Sequence, residues 1–274
     1  VRAFSPVDVL IHCAARIGPW GRYSEFYETN VLGTRNVIDA CRHHNIRKIV
    51  FISTPSIYFT GKDRYNISEN DPLPVRQASH YSKTKLMAEQ ELLSHCHDGF
   101  KTIIFRPRAL CGPYDETFVP RILRMADKKR MPLVNGGRAL VDITYVDDFI
   151  VAVKKALDSP EEAWNQAYNI SNGDPIRVRE WFAQVLQVFG KPFRPKSVPE
   201  YAAKTFAGCL ELISYLPMVN KEPPVTRFSV GYMARSMTMS LAKAKEMIGY
   251  EPQVSHRQGF DRYANWVRSR NGLS

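Results

Sequence analysis

Cysteine is scarce in this sequence, and its placement excludes a disulfide framework. Cys13, Cys41, Cys96, Cys111 and Cys209 are odd in number, far apart and free of any Cys-x-x-Cys. They read as reduced, buried thiols of a cytoplasmic protein. Metal-ligand spacing is missing too. His43-His44 and His95-Cys96-His97 do not match a closed zinc site and read as polar helix ends. Internal repeats and low-complexity segments are absent. Acidic residues are in the minority, 27 Asp and Glu against 38 Lys and Arg, for a formal net charge of +11. The surplus is scattered, with Lys128-Lys129-Arg130 as its longest run. No nucleic-acid partner is expected, and an anionic small molecule answers part of the excess. No stretch is both long and apolar enough to span a bilayer. Residues 201–219 come nearest, but Lys204 and Glu211 interrupt them and Pro217 ends them. They are expected to form an amphipathic helix that lines an apolar pocket or rests on a membrane surface, with an ordinary core helix as the plain alternative.

What is present suffices for a substantial core: 44% of the 274 residues are hydrophobic, enough for one large domain or two smaller ones. Val7 to His12 is an apolar run rich in β-branched residues that ends in Cys13-Ala14-Ala15. It reads as a buried parallel strand whose small terminal residues allow close approach. A helix is expected over 25–44 and a second strand over Arg47 to Ser53, followed by a long polar loop through Pro55, Gly61 and 66–74. Thr102 to Arg106 gives a third strand, closed by Pro107. A helix over 117–129, a basic turn at 135–138, a helix opened by Asp147-Asp148 and a last strand at Ala167 to Ile170 complete the pattern. Beyond Pro175 it reads as helical, with no further parallel strand. Strands alternating with helices of this length predict an α/β fold with a doubly wound parallel sheet. In such sheets ligands bind beyond the carboxyl ends of the strands, where His12 to Ala15, Ser53-Thr54 and Arg106-Pro107 converge.

Between the second and third strands lies His80-Tyr81-Ser82-Lys83-Thr84-Lys85, which runs on through Leu86, Met87, Leu92 and Leu93 with no Gly or Pro. This predicts an amphipathic helix. Tyr81 and Lys85 are one turn apart on one face. A cation there favours the phenolate over the phenol, whose ordinary pKa is about 10, and so lets a tyrosine exchange protons near neutral pH. Alone, a Tyr-x-x-x-Lys is equally well a solvated helix face.

Its surroundings carry a resemblance that covers essentially the whole chain. His12-Cys13-Ala14-Ala15, Asn30-Val31-Leu32-Gly33-Thr34, Ser53-Thr54-Pro55-Ser56-Ile57-Tyr58, Tyr81 to Lys85, Arg106-Pro107 with Gly112-Pro113, and Asp142 with Tyr145-Val146-Asp147-Asp148 stand in order. Together they resemble the extended short-chain dehydrogenase/reductase superfamily. Residues 15–21 and 222–228 are most similar to its 3β-hydroxysteroid dehydrogenase-like branch, which includes bacterial reductases of 2-alkyl-3-oxoalkanoates. The resemblance implies NAD or NADP as cofactor and Thr54, Tyr81 and Lys85 as the catalytic set. Tyr81 would be the acid or base at the substrate oxygen, Lys85 would lower its pKa, and Thr54 would orient the carbonyl. It further implies that His12, Ala14, Ala15, Asn30, Ser53, Tyr81, Lys85 and Pro107 contact the cofactor. Residues 1–113 and 140–173 would form the Rossmann-like part, and 114–139 with 174–274 the substrate-binding part.

One departure is plain. Neither Gly-x-x-Gly-x-x-Gly nor Gly-x-Gly-x-x-Gly occurs, so the strands with the pyrophosphate-binding turn and the ribose-reading residue are expected to precede Val1, and the choice between NAD and NADP stays open. The expected partners are a small apolar substrate, a peripheral membrane contact through 201–219 and a second copy in a homodimer. The expected place is the cytoplasm, at or near a membrane. Two rivals are a nucleotide-sugar epimerase or dehydratase on the same fold, and a non-catalytic dinucleotide sensor.

Overall fold

A computed structural model describes residues 5–128, 131–216 and 221–270. Strand β1 (Val9–His12) leads to α1 (Tyr23–Tyr27), a π-helical turn (Glu28–Leu32) and α2 (Gly33–His43). The helix expected over 25–44 is thus present, widened by a π-helical turn in its first half. Next come β2 (Lys48–Ile52), a 3₁₀ turn (Pro55–Tyr58), β3 (Arg64–Ile67), α3 (His80–Ser94) and β4 (Lys101–Pro107). Then follow β5 (Leu110–Cys111), α4 (Phe118–Asp127), β6 (Met131–Val134), β7 (Leu140–Val141), β8 (Thr144–Tyr145), α5 (Val146–Leu157) and β9 (Gln166–Ile170). The remainder holds β10 (Ile176–Arg177), α6 (Val178–Val188), β11 (Pro195–Val198), α7 (Glu200–Ser214), α8 (Arg227–Ala234), β12 (Met237–Met239), α9 (Ala242–Ile248) and α10 (His256–Arg270).

The main sheet is parallel throughout, in the order β1-β2-β4-β9. The central strands β2 and β4 are buried on both faces, as a doubly wound fold requires. The edge strand β1, expected to be buried, leaves Ile11 exposed. Ile49, Phe51 and Ile104 pack with Ile38, Ala88 and Leu92 of α2 and α3, while Val50, Ile103 and Phe105 pack with Phe149 and Ala152 of α5 and Ala244 of α9. Successive residues go to opposite faces because the side-chain period of a strand is two.

Two expectations fail for one reason, pairing between distant segments. β11 runs parallel to β6, and β12 parallel to both β3 and β7, so parallel strands do occur beyond Pro175. The long polar loop is interrupted by β3, whose partner is more than half the chain away. Helix α3 is also not amphipathic in the expected sense. Its buried face is Ser82, Thr84, Lys85, Ala88, Glu89 and Leu92, whereas Leu86 and Met87 are only half-buried and Leu93 is exposed. The face turned inward was chosen by the polar groups it meets at the strand ends. Among the thiols, Cys41 and Cys111 are buried but Cys13 and Cys209 are exposed, and all five are free.

Candidate active site

Three strand ends and one helix meet here. β1 delivers His12, β2 delivers Ser53 and Thr54, and β4 delivers Pro107. Ser79 caps α3, its hydroxyl accepting the Ser82 backbone N–H at 3.0 Å, and so aims the first turns, with Tyr81 and Lys85, at those ends. Thr54 is extended and caps the 3₁₀ turn: its Oγ1 accepts the Ser56 N–H at 3.2 Å and donates to Ser56 Oγ at 3.0 Å. Ser82 Oγ donates to the same Ser56 Oγ at 3.1 Å and lies 2.8 Å from Ser79 Oγ. A continuous row of hydroxyls thus runs from Thr54 to the cap of α3. The Tyr81 phenol interacts with the Thr54 side chain at the inner end of this row.

Burial dominates the electrostatics. It pushes the Tyr81 phenol up to about 12, the Thr54 side chain opposing only in part. It pushes the Lys85 ammonium down to about 7, against the pull of Glu89. Lys85 is 1% exposed; its Nζ donates to the Ile52 carbonyl at 2.6 Å and sits 3.8 Å from the centre of the Phe51 ring. The expected lowering of the tyrosine by the lysine is therefore not what this structure shows. The lysine is engaged with the end of β2, and loss of solvation governs Tyr81. At neutral pH Tyr81 is a phenol with a proton to give.

The other sequence candidates separate into two kinds. Ala14 is exposed and Ala15 half-exposed at the mouth of the crevice, and the buried Ser53 Oγ has no hydrogen-bond partner among the described residues. Pro107 is half-buried at the end of β4. Small side chains that leave room, an orphaned hydroxyl and an inward-facing amine fit the nicotinamide end of a dinucleotide. His12 and Asn30 are instead spent on the protein. Thr34 gives its proton to the Asn30 carbonyl at 2.7 Å, so it accepts from His12 Nε2–H at 3.1 Å. Burial, then Lys85, holds the His12 imidazole down at about 4, neutral under ordinary conditions. The Asn30 amide donates to the Arg16 carbonyl and to Thr84 Oγ1, both at 3.0 Å, and accepts the Arg16 N–H at 2.7 Å. It clamps the loop after β1 to α3.

The remaining motif residues prove to be scaffolding. Arg106 forms a two-pronged pair with Glu89, Nε to Oε1 at 3.0 Å and Nη2 to Oε2 at 2.5 Å, and also donates to the Tyr58 hydroxyl. Gly112 has φ +139°, and a Cβ there would lie 2.5 Å from Val146 Cγ1, so the Gly-Pro turn can lie against Tyr145-Val146 only without a side chain. Asp148 accepts Asn172 Nδ2 at 2.7 Å and the backbone N–H groups of Gln253 and Val254 at 3.0 and 3.1 Å.

What sequence reasoning missed is the aromatic wall. Tyr232 of α8 is an electrostatic neighbour of Tyr81, stacks on Phe228 at 5.5 Å and meets Phe59 at 5.3 Å. The signal was present: Phe228 and Tyr232 stand four apart, as residues sharing a helix face do. Of the apolar candidates on α7, Leu210 is half-buried, while Phe206, Ile213 and Tyr215 are exposed. Tyr215 touches Trp20 of the loop after β1, with ring centres 4.5 Å apart. Pro217, Met218 and Val219 lie outside the described residues, as do Lys129 and Arg130 of the basic run.

A parallel sheet with this crevice at its carboxyl edge defines a Rossmann-like dinucleotide-binding protein. A profile of the NAD dependent epimerase/dehydratase family matches residues 1–171, and the chain belongs to that family. It is 34% identical to a 2-alkyl-3-oxoalkanoate reductase of Stenotrophomonas maltophilia over 96% of this chain and 81% of the relative. It is 27% identical to a mouse (Mus musculus) sterol-4-alpha-carboxylate 3-dehydrogenase, decarboxylating, over 95% of this chain and 74% of the relative. The fold is shared with UDP-glucuronic acid 4-epimerase from Bacillus cereus in complex with NAD, at a TM-score of 0.74, 20% identity, and coverage of 98% of this chain and 75% of that one. The family is described as NAD dependent, and the two relatives are named as a reductase and a dehydrogenase.

Proposed function

We propose that Tyr81, Thr54 and Lys85 reduce the ketone of a bulky apolar substrate, a 3-oxosteroid or a 2-alkyl-3-oxoalkanoate, or oxidise the matching secondary alcohol. The observation that carries this reading is a half-buried Tyr81, its phenol kept protonated by loss of solvation, next to Thr54 and beside an aromatic wall. A nicotinamide dinucleotide, when bound, supplies or accepts the hydride. The protein's own part is the proton and the oxygen. Tyr81 O–H donates to the substrate oxygen as charge develops on it, and the Thr54 hydroxyl steadies the same oxygen. Lys85 Nζ, held at the end of β2, is placed for the nicotinamide ribose hydroxyls. Ala14, Ala15 and Ser53 border the cofactor, and Asn30 and His12 act by positioning α3 and the loop. The division expected from the sequence stands as part of this proposal, with 1–113 and 140–173 serving the cofactor and 114–139 with 174–274 the substrate.

Tyr81→Phe tests the assignment in the full-length protein. Turnover should fall by roughly a hundredfold to ten-thousandfold, while dinucleotide affinity stays near wild type. Near wild-type rates would overturn the mechanism. Substrate class is read from a panel. Each buried methylene is worth about 0.8 kcal/mol, so trimming the acyl chain should cost roughly fourfold in kcat/KM per carbon. Turnover of UDP-hexoses alone would favour the epimerase reading instead.

A further inference from the structure

Arg108 is 4% exposed, and its Nε is sealed from solvent without a hydrogen-bond partner. Among the described residues, no hydrogen bond or ion pair engages its guanidinium. Its backbone N–H is tied to the Ile170 carbonyl at 3.0 Å, which fixes the residue just past the carboxyl end of β4. The contrast with Arg106 is sharp, since that guanidinium is matched by Glu89 and Tyr58. An arginine stays charged in proteins, and burying it unpaired costs several kcal/mol. What Arg108 has is Tyr232: the guanidinium carbon lies 4.2 Å from the centre of that ring. Such a contact meets the face of a ring and uses none of the N–H donors.

Asp142 attracts Arg108 electrostatically, but no hydrogen bond or ion pair joins the two. Asp142 Oδ2 accepts the Met239 N–H at 2.6 Å, and Oδ1 has no partner. Arg108 therefore keeps unpaired donors beside Tyr232, a ring that also acts electrostatically on Tyr81. In a 3-oxo acid one carbon separates the keto carbon from the carboxylate. A substrate whose keto oxygen rests on Tyr81 thus carries its negative charge a short step away, and a guanidinium fork matches a carboxylate in two places.

We propose that Arg108 is a specificity residue that holds the carboxylate of a 3-oxo or 3-hydroxy acid while Tyr81 and Thr54 hold its other oxygen. This rests on the reading of the Tyr81 site as carbonyl-reducing. It adds which residue recognises the acid group, and it favours the 2-alkyl-3-oxoalkanoate over the neutral 3-oxosteroid.

The test uses the full-length protein with NADH or NADPH and two matched probes, a 2-alkyl-3-oxoalkanoate freshly released from its methyl ester and the ester itself. Wild type should prefer the acid. In Arg108→Met the acid-to-ester ratio of kcat/KM should fall roughly a hundredfold, mainly through KM for the acid. Arg108→Lys, which keeps the charge but loses the fork, should fall in between, and it carries the test if the methionine variant does not fold. Dinucleotide affinity, read by fluorescence, should not move. Equal use of acid and ester by wild type would overturn the inference. So would an unchanged ratio in both variants, the result expected of a structural partner of Asp142. Loss of dinucleotide affinity would assign Arg108 to the cofactor instead. Ester turnover that still depends on Tyr81 would leave the underlying reading intact. Turnover of neither probe would sink that reading and this inference together.

Discussion

Burial moves Tyr81 and Lys85 in opposite directions, and both shifts favour the neutral form. The lysine shift is also a statement about stability. Its folded value of about 7 lies below the unfolded one, so between them the unfolded state binds the extra proton. Stability should rise with pH from about 7 towards 10, where the desolvation penalty has gone. Lys85→Met should abolish turnover yet melt no lower than wild type at pH 7, and its stability should not climb with pH. Thermal melts at pH 7 and 9.5 check this, and a wild type with no such rise would show that the amine is not desolvated. Ser56 makes a second prediction at this scale. It takes the Thr54 proton and ties that hydroxyl to Ser82 on α3. Ser56→Ala should lower kcat about tenfold through misplaced hydroxyls and leave dinucleotide affinity unchanged; equal loss in both would point to a general packing defect.

Helix α3 shows how far local pattern reaches. The segment is helical as its residues prefer, and Tyr81 and Lys85 do share a face. The apolar positions suggested that Leu86, Met87 and Leu93 would turn inward, but the helix buries Ser82, Thr84, Lys85 and Glu89. Hydrophobic periodicity failed because the inner partners are polar: the Ser56 hydroxyl, the Asn30 amide, the Ile52 carbonyl and the Arg106 guanidinium. Glu89 is the strongest of these links. Glu89→Ala leaves Arg106 buried without its partner and should cost about 3–5 kcal/mol in denaturant unfolding. Glu91→Ala, two residues on, breaks only a half-exposed pair with Arg35 and should cost at most about 1 kcal/mol. Equal costs would mean that the buried pair is replaceable.

Across the whole molecule, no helix among the described residues is long and apolar enough to cross a membrane. Helix α7 and the residues just after it nonetheless leave Tyr201, Phe206, Leu212, Ile213, Tyr215 and Leu216 exposed. With a net charge of +11, a peripheral contact through this face is expected, and Phe206→Asp with Ile213→Asp should reduce sedimentation with anionic vesicles. Unchanged sedimentation would assign the face to something else.

The sequence by itself determined the parallel sheet, because runs such as Lys48–Ile52 and Lys101–Pro107 are apolar on both faces and their neighbours are helix formers. It also placed Thr54 at a strand end and Tyr81 and Lys85 on one helix face, since both are local geometry; the family resemblance is what joined them in one site. Only the tertiary structure decided which strands join late. Met237–Met239 pairs with Arg64–Ile67, and nothing in either short segment announces the other. Only the tertiary structure set the ionisation of the site as well. Sequence can place an amine four residues from a phenol, but the solvent each of them loses depends on Phe51, Ile52 and Tyr232, which the chain brings in from elsewhere.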